Sequence, residues 1–193
     1  MRVELQTAVG ALLRLLDTAP NDEFPDLLTG VGQLRSIFQG IDVPLEGIDL
    51  APIARLRSEL LRTVVCDDAD DARDLLNELA MSYGVTPQLN ENSEVEFQAE
   101  VRGTAAALAA LFVQALMELH TRGWTERIHQ CEAVWCWNFF LSAPKSRNQR
   151  YCSSTCATRM RSQRRRDREF EEPWTNSESE EDWWAAPRPR LVP

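Results

Sequence analysis

Hydrophobic positions along this chain recur mostly at helical spacing. Leu5, Val9, Leu12 and Leu16, joined by Ala8 and Leu13, share one face of a helix predicted over 2–17. A break rich in proline and acids covers 18–26. A second helical pattern follows over 26–39 through Leu27, Val31, Leu34 and Phe38, weakened by Gly30 and Gly32. Residues 40–50 read as a loop punctuated by Pro44 and Gly47. Asp49 is placed to cap a third helix, with Pro52 in the first turn, where a missing N–H costs little. Ile53, Leu56, Leu60 and Val64 supply its apolar stripe.

A fourth helix is predicted from about Asp68. Asp70 and Asp71 suit the positive end of its dipole, Ala72, Leu75, Leu76 and Leu79 face inward, and Gly84 ends it. The period then changes to two: residues 85–89 and 95–101 form a hairpin around a turn at 90–93. Residues 104–120 make the most apolar helix, with Leu108, Leu111, Phe112, Ala115, Leu116 and Leu119, and are expected at the centre of the core. The class that emerges is mainly α: a helical N-terminal domain with a short β-hairpin over 1–126, a small cysteine-bearing module with a basic helix over 127–169, and a disordered acidic tail over 170–193.

Cysteine usage brings in the chemistry. Four of the five cysteines lie within 26 residues, as Cys131-x4-Cys136 and Cys152-x3-Cys156, with fifteen residues between the pairs. A short pair directs two thiolates into one pocket, and a second pair brought back by a turn completes a tetrahedral four-sulfur zinc site. Four thiolates leave no position open for water, so the zinc is expected to be structural. A disulfide framework needs an oxidising compartment, and no secretory leader is legible. A redox pair would favour C-x-x-C, which is missing. His120 and His129 are read as structural or exposed, and Cys66 as a half-buried core thiol. The aromatics Trp135, Trp137, Phe139, Phe140 and Tyr151 are expected to form the small core of the module.

Charge is sharply segregated. The chain carries −9 overall, but residues 1–144 hold 10 basic and 22 acidic side chains, whereas residues 145–168 hold nine basic ones against Asp167. The local basic block, not the acidic total, indicates partners. Behind Cys156 the arginines encircle a permitted helix. Arg161 with Arg165, and Arg164 with Arg168, repel one another at a spacing of four, so such a helix needs an anchor and an anion. A phosphate backbone supplies the anion. Lys145, Arg147, Arg150, Arg159, Arg161, Arg164, Arg165 and Arg166 are the candidate nucleic-acid contacts.

These residues resemble a known family. C-x4-C, then Trp137 and the pair Phe139-Phe140, then Lys145-x-Arg147-x-x-Arg150-Tyr151-Cys152-Ser153, then Cys156 and a basic helix, are similar to the CGNR zinc finger. In that family the finger follows a helical domain called ABATE, and the proteins are described as stress-induced transcription regulators. The resemblance implies Cys131, Cys136, Cys152 and Cys156 as zinc ligands and a DNA-binding bacterial protein. Three features depart from the family. Its Cys-Gly-Asn-Arg signature is Cys156-Ala157-Thr158-Arg159 here, the last cysteine pair is one residue tighter, and Ser142 or Ala143 stands where an aspartate is usual.

The expectation is therefore a cytoplasmic, zinc-binding, DNA-binding transcription regulator. Its helical domain would take a small-molecule inducer or form a homodimer, and it makes no use of a membrane. The alternative is a zinc-stapled interaction module whose basic helix binds an acidic partner or its own acidic tail. An enzyme is not expected, since no nucleophile–base pair, Gly-rich phosphate loop or H-E-x-x-H is legible. The longest uncharged apolar stretch, 103–117, falls short of a membrane span.

Overall fold

The computed structural model describes residues 3–43, 45, 48–143 and 148–171, with the side chains of 169–171 left aside. Among these it holds six helices and two hairpins: α1 (Leu5–Leu16), α2 (Val31–Ile37), α3 (Leu50–Val64), α4 (Ala69–Ser82), β1 (Val85–Leu89), β2 (Val95–Ala99), α5 (Thr104–Thr121), β3 (Ile128–Gln130), β4 (Phe139–Leu141) and α6 (Ser154–Glu171). The mainly α class is borne out. The chain divides into two compact units, Met1–Cys152 and Ser153–Pro193. Lys145 and Arg147 lie outside the described residues, as does the acidic segment from 172 onward.

The first unit is built around α5. Its Leu108, Phe112, Val113, Leu116 and Leu119 are fully enclosed, and it packs against α1, α3, α4, β1 and β2. Leu12, Leu15 and Leu16 of α1 and Ile53, Leu56 and Leu60 of α3 complete the core at or near zero exposure. Each such side chain gives roughly 1.5–3 kcal/mol relative to leaving it in water. At 18 residues α5 is long and apolar enough to cross a membrane, which counting uncharged residues did not anticipate, but half of it is buried inside this unit, as a core helix requires.

The cap expected at Asp49 is formed, and the helix start placed near Asp68 proves to be capped by that residue. The Asp49 carboxylate accepts from the Ala51 N–H, and Asp68 accepts from the N–H groups of Asp70 and Asp71 at 2.9 and 3.0 Å. These satisfy donors that the first helical turn leaves orphaned. Gly84 follows α4 at φ +60°, where a Cβ would press against the Glu100 side chain at 3.1 Å. It leads into β1, which pairs antiparallel with β2 in the register Val85↔Ala99 to Leu89↔Val95.

The second helical pattern came out shorter than the sequence suggested. Only Val31–Ile37 is helical; Leu27 is exposed and Leu28 buried. Residues 18–30 follow a different set of partners. The Asp26 carboxylate accepts from the Leu28 N–H, and the Thr18 carbonyl accepts from the Leu27 N–H. Arg57, buried on α3, donates Nη1 to the Thr18 carbonyl, Thr18 Oγ1 and Asp26 Oδ1, and Nη2 to Asp26 Oδ2 at 2.6 Å. A two-pronged guanidinium–carboxylate pair fixes direction as well as charge. It also holds the Asp26 carboxyl below the usual carboxylate range. Arg14 of α1 similarly donates to the Ile37 carbonyl at the end of α2.

Removing one side of the Arg57–Asp26 pair should therefore be costly. Arg57→Met is expected to lose on the order of 2–4 kcal/mol in urea unfolding, leaving Asp26 and the Thr18 carbonyl without their donor. Asp26→Asn should lose less. It should also remove a component of stability that the wild type keeps above the ordinary aspartate pKa and loses as pH falls through the depressed one.

Candidate metal centre

After α5 the chain turns through a short 3-10 helix, Thr125–Arg127, into β3. Trp124 precedes this turn, with the guanidinium groups of Arg122 and Arg127 at 5.2 and 5.0 Å from its ring. The β3–β4 hairpin carries Cys131 and Cys136 in its connection. The Cys131 N–H donates to the Asn138 carbonyl at 2.9 Å, closing the loop, and the Cys136 N–H donates to the Ala133 carbonyl at 3.0 Å, making a tight turn within it. Trp135 takes a left-handed backbone at φ +69° inside that turn. This is a conformation that disfavours bulky side chains and is tolerated where a site dictates it.

The segment returning with Cys152 is tied to this loop. The Glu132 N–H donates to the Arg150 carbonyl, and Arg150 Nε donates to Glu132 Oε2 at 2.6 Å. Cys156 comes from the first turn of α6, where Ser153 caps the helix by accepting the Cys156 N–H on its hydroxyl at 3.2 Å. Thus the second pair straddles a helix start, and its C-x3-C spacing is set by one cap and one turn.

The four ligand atoms of Cys131, Cys136, Cys152 and Cys156 all lie within 4.8 Å of one another. A tetrahedral zinc with bonds of about 2.3 Å needs its sulfurs about 3.8 Å apart, so the donor set fits the metal. Cys136 and Cys152 approach to 3.5 Å, too long for a disulfide, and none of the five cysteines is in one. Cys131 and Cys156 are buried and the other two half-buried. The Cys152 N–H points at Cys131 Sγ at 3.4 Å, and Cys156 lies in the first turn of α6. Zinc held here would be a closed structural centre: the four sulfurs would hold it, and its chemistry would be to cross-link the hairpin loop to the turn before α6.

Among the described residues neither histidine joins this cluster. His129, on β3, packs its ring against Phe140 at 5.8 Å. The expected aromatic core is only partly realised. Phe140 is buried and Phe139 half-buried, but Trp135 and Trp137 are exposed, and Trp137 Nε1 reaches Glu23 Oε2 at 3.4 Å. Cys66 is half-buried and its thiol meets the Asp68 carbonyl.

The sequence offered no sign of what holds the hairpin to the helices. The Asp17 carboxylate, just past α1, accepts the Phe139 N–H at 2.6 Å. Arg127 reaches the Ser142 carbonyl, whose own residue donates its N–H to the Arg127 carbonyl. Burial pushes the Asp17 carboxyl up to about 6, against the pull of the Phe139 N–H and the Arg14 charge.

Of the candidate contacts to nucleic acid, Arg159, Arg161, Arg164, Arg165 and Arg166 all sit on α6 and are exposed, as is Arg168. Arg161 leans on the Ala157 carbonyl and Thr158 Oγ1, and Arg166 on Gln163. Arg150 is placed elsewhere, paired with Glu132 in the metal loop, so its charge already has a partner. Ala157 and Thr158 continue α6 as ordinary helix.

A loop closed on itself, a capped helix start and four converging sulfurs define a zinc finger of the four-cysteine class. Residues 127–169 match the family model of the CGNR zinc finger. A search of curated proteins finds no match.

Two outcomes check this centre. Purified protein should carry one zinc per chain by elemental analysis, and Cys131→Ser or Cys156→Ser should lower that to well below one while the far-UV signal of α1–α5 persists. For Asp17, the folded-state pKa is raised, so its favourable contribution is complete below the unfolded aspartate value near 3.8 and is lost as pH climbs through about 6. Asp17→Asn should therefore gain on the order of 1–2 kcal/mol relative to wild type at pH 7. That advantage should shrink as pH falls toward 4, read as the difference between the two proteins in urea titrations.

Proposed function

We propose that the protein is a zinc-stapled, DNA-binding transcription regulator of the cytoplasm, with no catalytic activity of its own. The observation that carries this reading is the exposure of the α6 arginines, the densest cationic surface of an otherwise acidic chain, on a helix whose first turn contributes a sulfur to the metal centre. Along an 18-residue helix, about 27 Å long, six guanidinium groups suit a run of phosphates. Guanidinium forks match phosphate oxygens in pairs, which favours arginine over lysine for this task.

The helical unit is the natural place for regulation. We propose either a homodimer through it or a small-molecule inducer in its cleft of about 300 Å³, whose walls include Thr63, Cys66, Asp67, His120, Glu126 and His129.

Fluorescence anisotropy of zinc-loaded protein on duplex DNA tests the reading. If four to six phosphates are neutralised, the logarithm of the binding constant should fall with the logarithm of salt at a slope of about −4 to −5. Arg161→Ala with Arg165→Ala should weaken binding on all sequences alike and flatten the slope by about two. A salt-independent affinity, or no binding at low salt, overturns it.

A further inference from the structure

We propose that the free edge of β2 takes up an extended polypeptide segment of a partner protein, one in which apolar residues alternate with lysine or arginine. The proposal stands on the helical unit by itself and holds whether or not α6 binds DNA.

The first ground is the backbone. The Asn90 N–H donates to the Glu94 carbonyl, and the Glu100 N–H to the Gly84 carbonyl. In an antiparallel ladder such bonded pairs alternate with unbonded ones. The register therefore makes Gln88↔Glu96 and Thr86↔Gln98 bonded pairs, and Val85↔Ala99, Pro87↔Phe97 and Leu89↔Val95 unbonded ones. On β2, Val95, Phe97 and Ala99 thus aim their N–H and C=O groups away from β1. Among the described residues the sheet has these two strands and no third one to take those groups up. The two edges differ. On β1 the residue across from Phe97 is Pro87, which has no N–H to offer and so blunts that edge. Strand β2 has no proline, lysine or bulge to do the same.

The second ground is the space beside that edge. Residues 96–99 line a groove of about 530 Å³, together with Ile41, Val43 and the α5 residues Ala107, Ala110 and Leu111. Val85 and Phe97 pack on the helical core, so the face they share is the inner one, and Glu96 and Gln98 fall on the outer face. A strand added beside β2 keeps this alternation. Every second side chain would enter the groove, against Ile41, Val43 and Leu111. Those between would stand beside Glu96 and Gln98.

The third ground is charge, and it selects the partner. Between Arg73 and Arg102 the chain has no lysine or arginine and six acids, four of which (Glu91, Glu94, Glu96 and Glu100) lie in or beside the hairpin. Arg102 is the one base among the lining residues of the groove, against Asp42 and Glu96. A second copy of β2 fits badly. Antiparallel pairing of Phe97 with Val95, Phe97 or Ala99 of another copy sets Glu96 across from Glu96, Glu94 from Glu100, or Glu96 from Glu100. Like charges directly opposite are destabilising, whereas lysine or arginine at those places is favoured.

The test uses the full zinc-loaded chain at low concentration and residue-resolved amide exchange by NMR. Three end-blocked decapeptides are added in turn: alternating valine and lysine, alternating valine and glutamate, and the valine–lysine sequence with its valine amides N-methylated. In the free chain the amides of Val95, Phe97 and Ala99 should exchange fast, while those of Glu96 and Gln98, bonded to β1, are protected. Saturating valine–lysine peptide should slow Val95, Phe97 and Ala99 by about tenfold or more. Attraction of a cation to an acidic surface does not produce that alternation. The glutamate peptide and the methylated peptide should leave the three rates unchanged. Ala107→Phe, which fills the groove from an exposed position, should abolish the slowing. Val95→Pro, which removes one outward N–H and no bond to β1, should weaken it several-fold. No slowing by the valine–lysine peptide overturns the proposal, as does equal slowing by the glutamate peptide. Slow exchange of the three amides in the free chain at low concentration also overturns it, since the edge is then covered from within the chain. Slowing that follows protein concentration without peptide overturns it in favour of a second copy.

Discussion

Four cysteine sulfurs drawn within 4.8 Å of one another, two of them buried, impose the constraint on which the second half of this chain depends. As thiolates they repel, and as neutral thiols they pack poorly enough to give the backbone little reason to hold them there. A divalent cation resolves the conflict, because each sulfur gains a bond of about 2.3 Å and the four negative charges are halved. The local hydrogen bonds agree with that account. The Asn138 carbonyl closes the first loop, the Ala133 carbonyl tightens the turn inside it, and the Ser153 hydroxyl fixes the turn that presents Cys156. Each of these positions a sulfur rather than burying apolar surface.

The hairpin bearing the first two ligands is part of the same compact unit as the helices. Its attachment is both apolar and polar: Ile128, Phe139 and Leu141 pack against the helical core, and Asp17 accepts the Phe139 N–H. The polar bond gives direction at modest net stability, since such a hydrogen bond nets only about 1 kcal/mol. The core around α5 supplies the stability, and the hairpin borrows it. By contrast α6 has an average hydropathy far too low to seek a core and exposes arginine on all sides. Its function, on our reading, lies in what binds to it.

Much of this was legible in the chain beforehand, for physical reasons that differ by element. The cap at Asp49, the helix start near Asp68 and the stop at Gly84 were readable because they are local: one side chain or one φ angle decides each. Helix α5 was readable because a long apolar run has few alternatives. The four ligands were readable because metal geometry restricts spacing. The segment 26–30 was misread because Leu27 and Leu28 fit a helical period, while the partners that overrule it, Arg57 and Thr18, are distant or lie in a loop. Trp135 and Trp137 were assigned to a core because aromatics usually seek one, yet a knuckle of six residues has too little interior for two indoles. The Asp17–Phe139 bond spans 122 positions, and no periodicity announces a contact of that kind.

The most direct examination of the central claim is sulfur coordination together with its structural consequence, read on one sample. X-ray absorption at the zinc edge, paired with hydrogen exchange before and after chelation, provides both. The account predicts four sulfur neighbours at about 2.3 Å. It also predicts that stripping the metal raises exchange across 131–156 and the first turns of α6 while α1, α3 and α5 stay protected. Fewer than four sulfurs, or a metal-free protein whose residues 131–160 exchange as slowly as before, would contradict it.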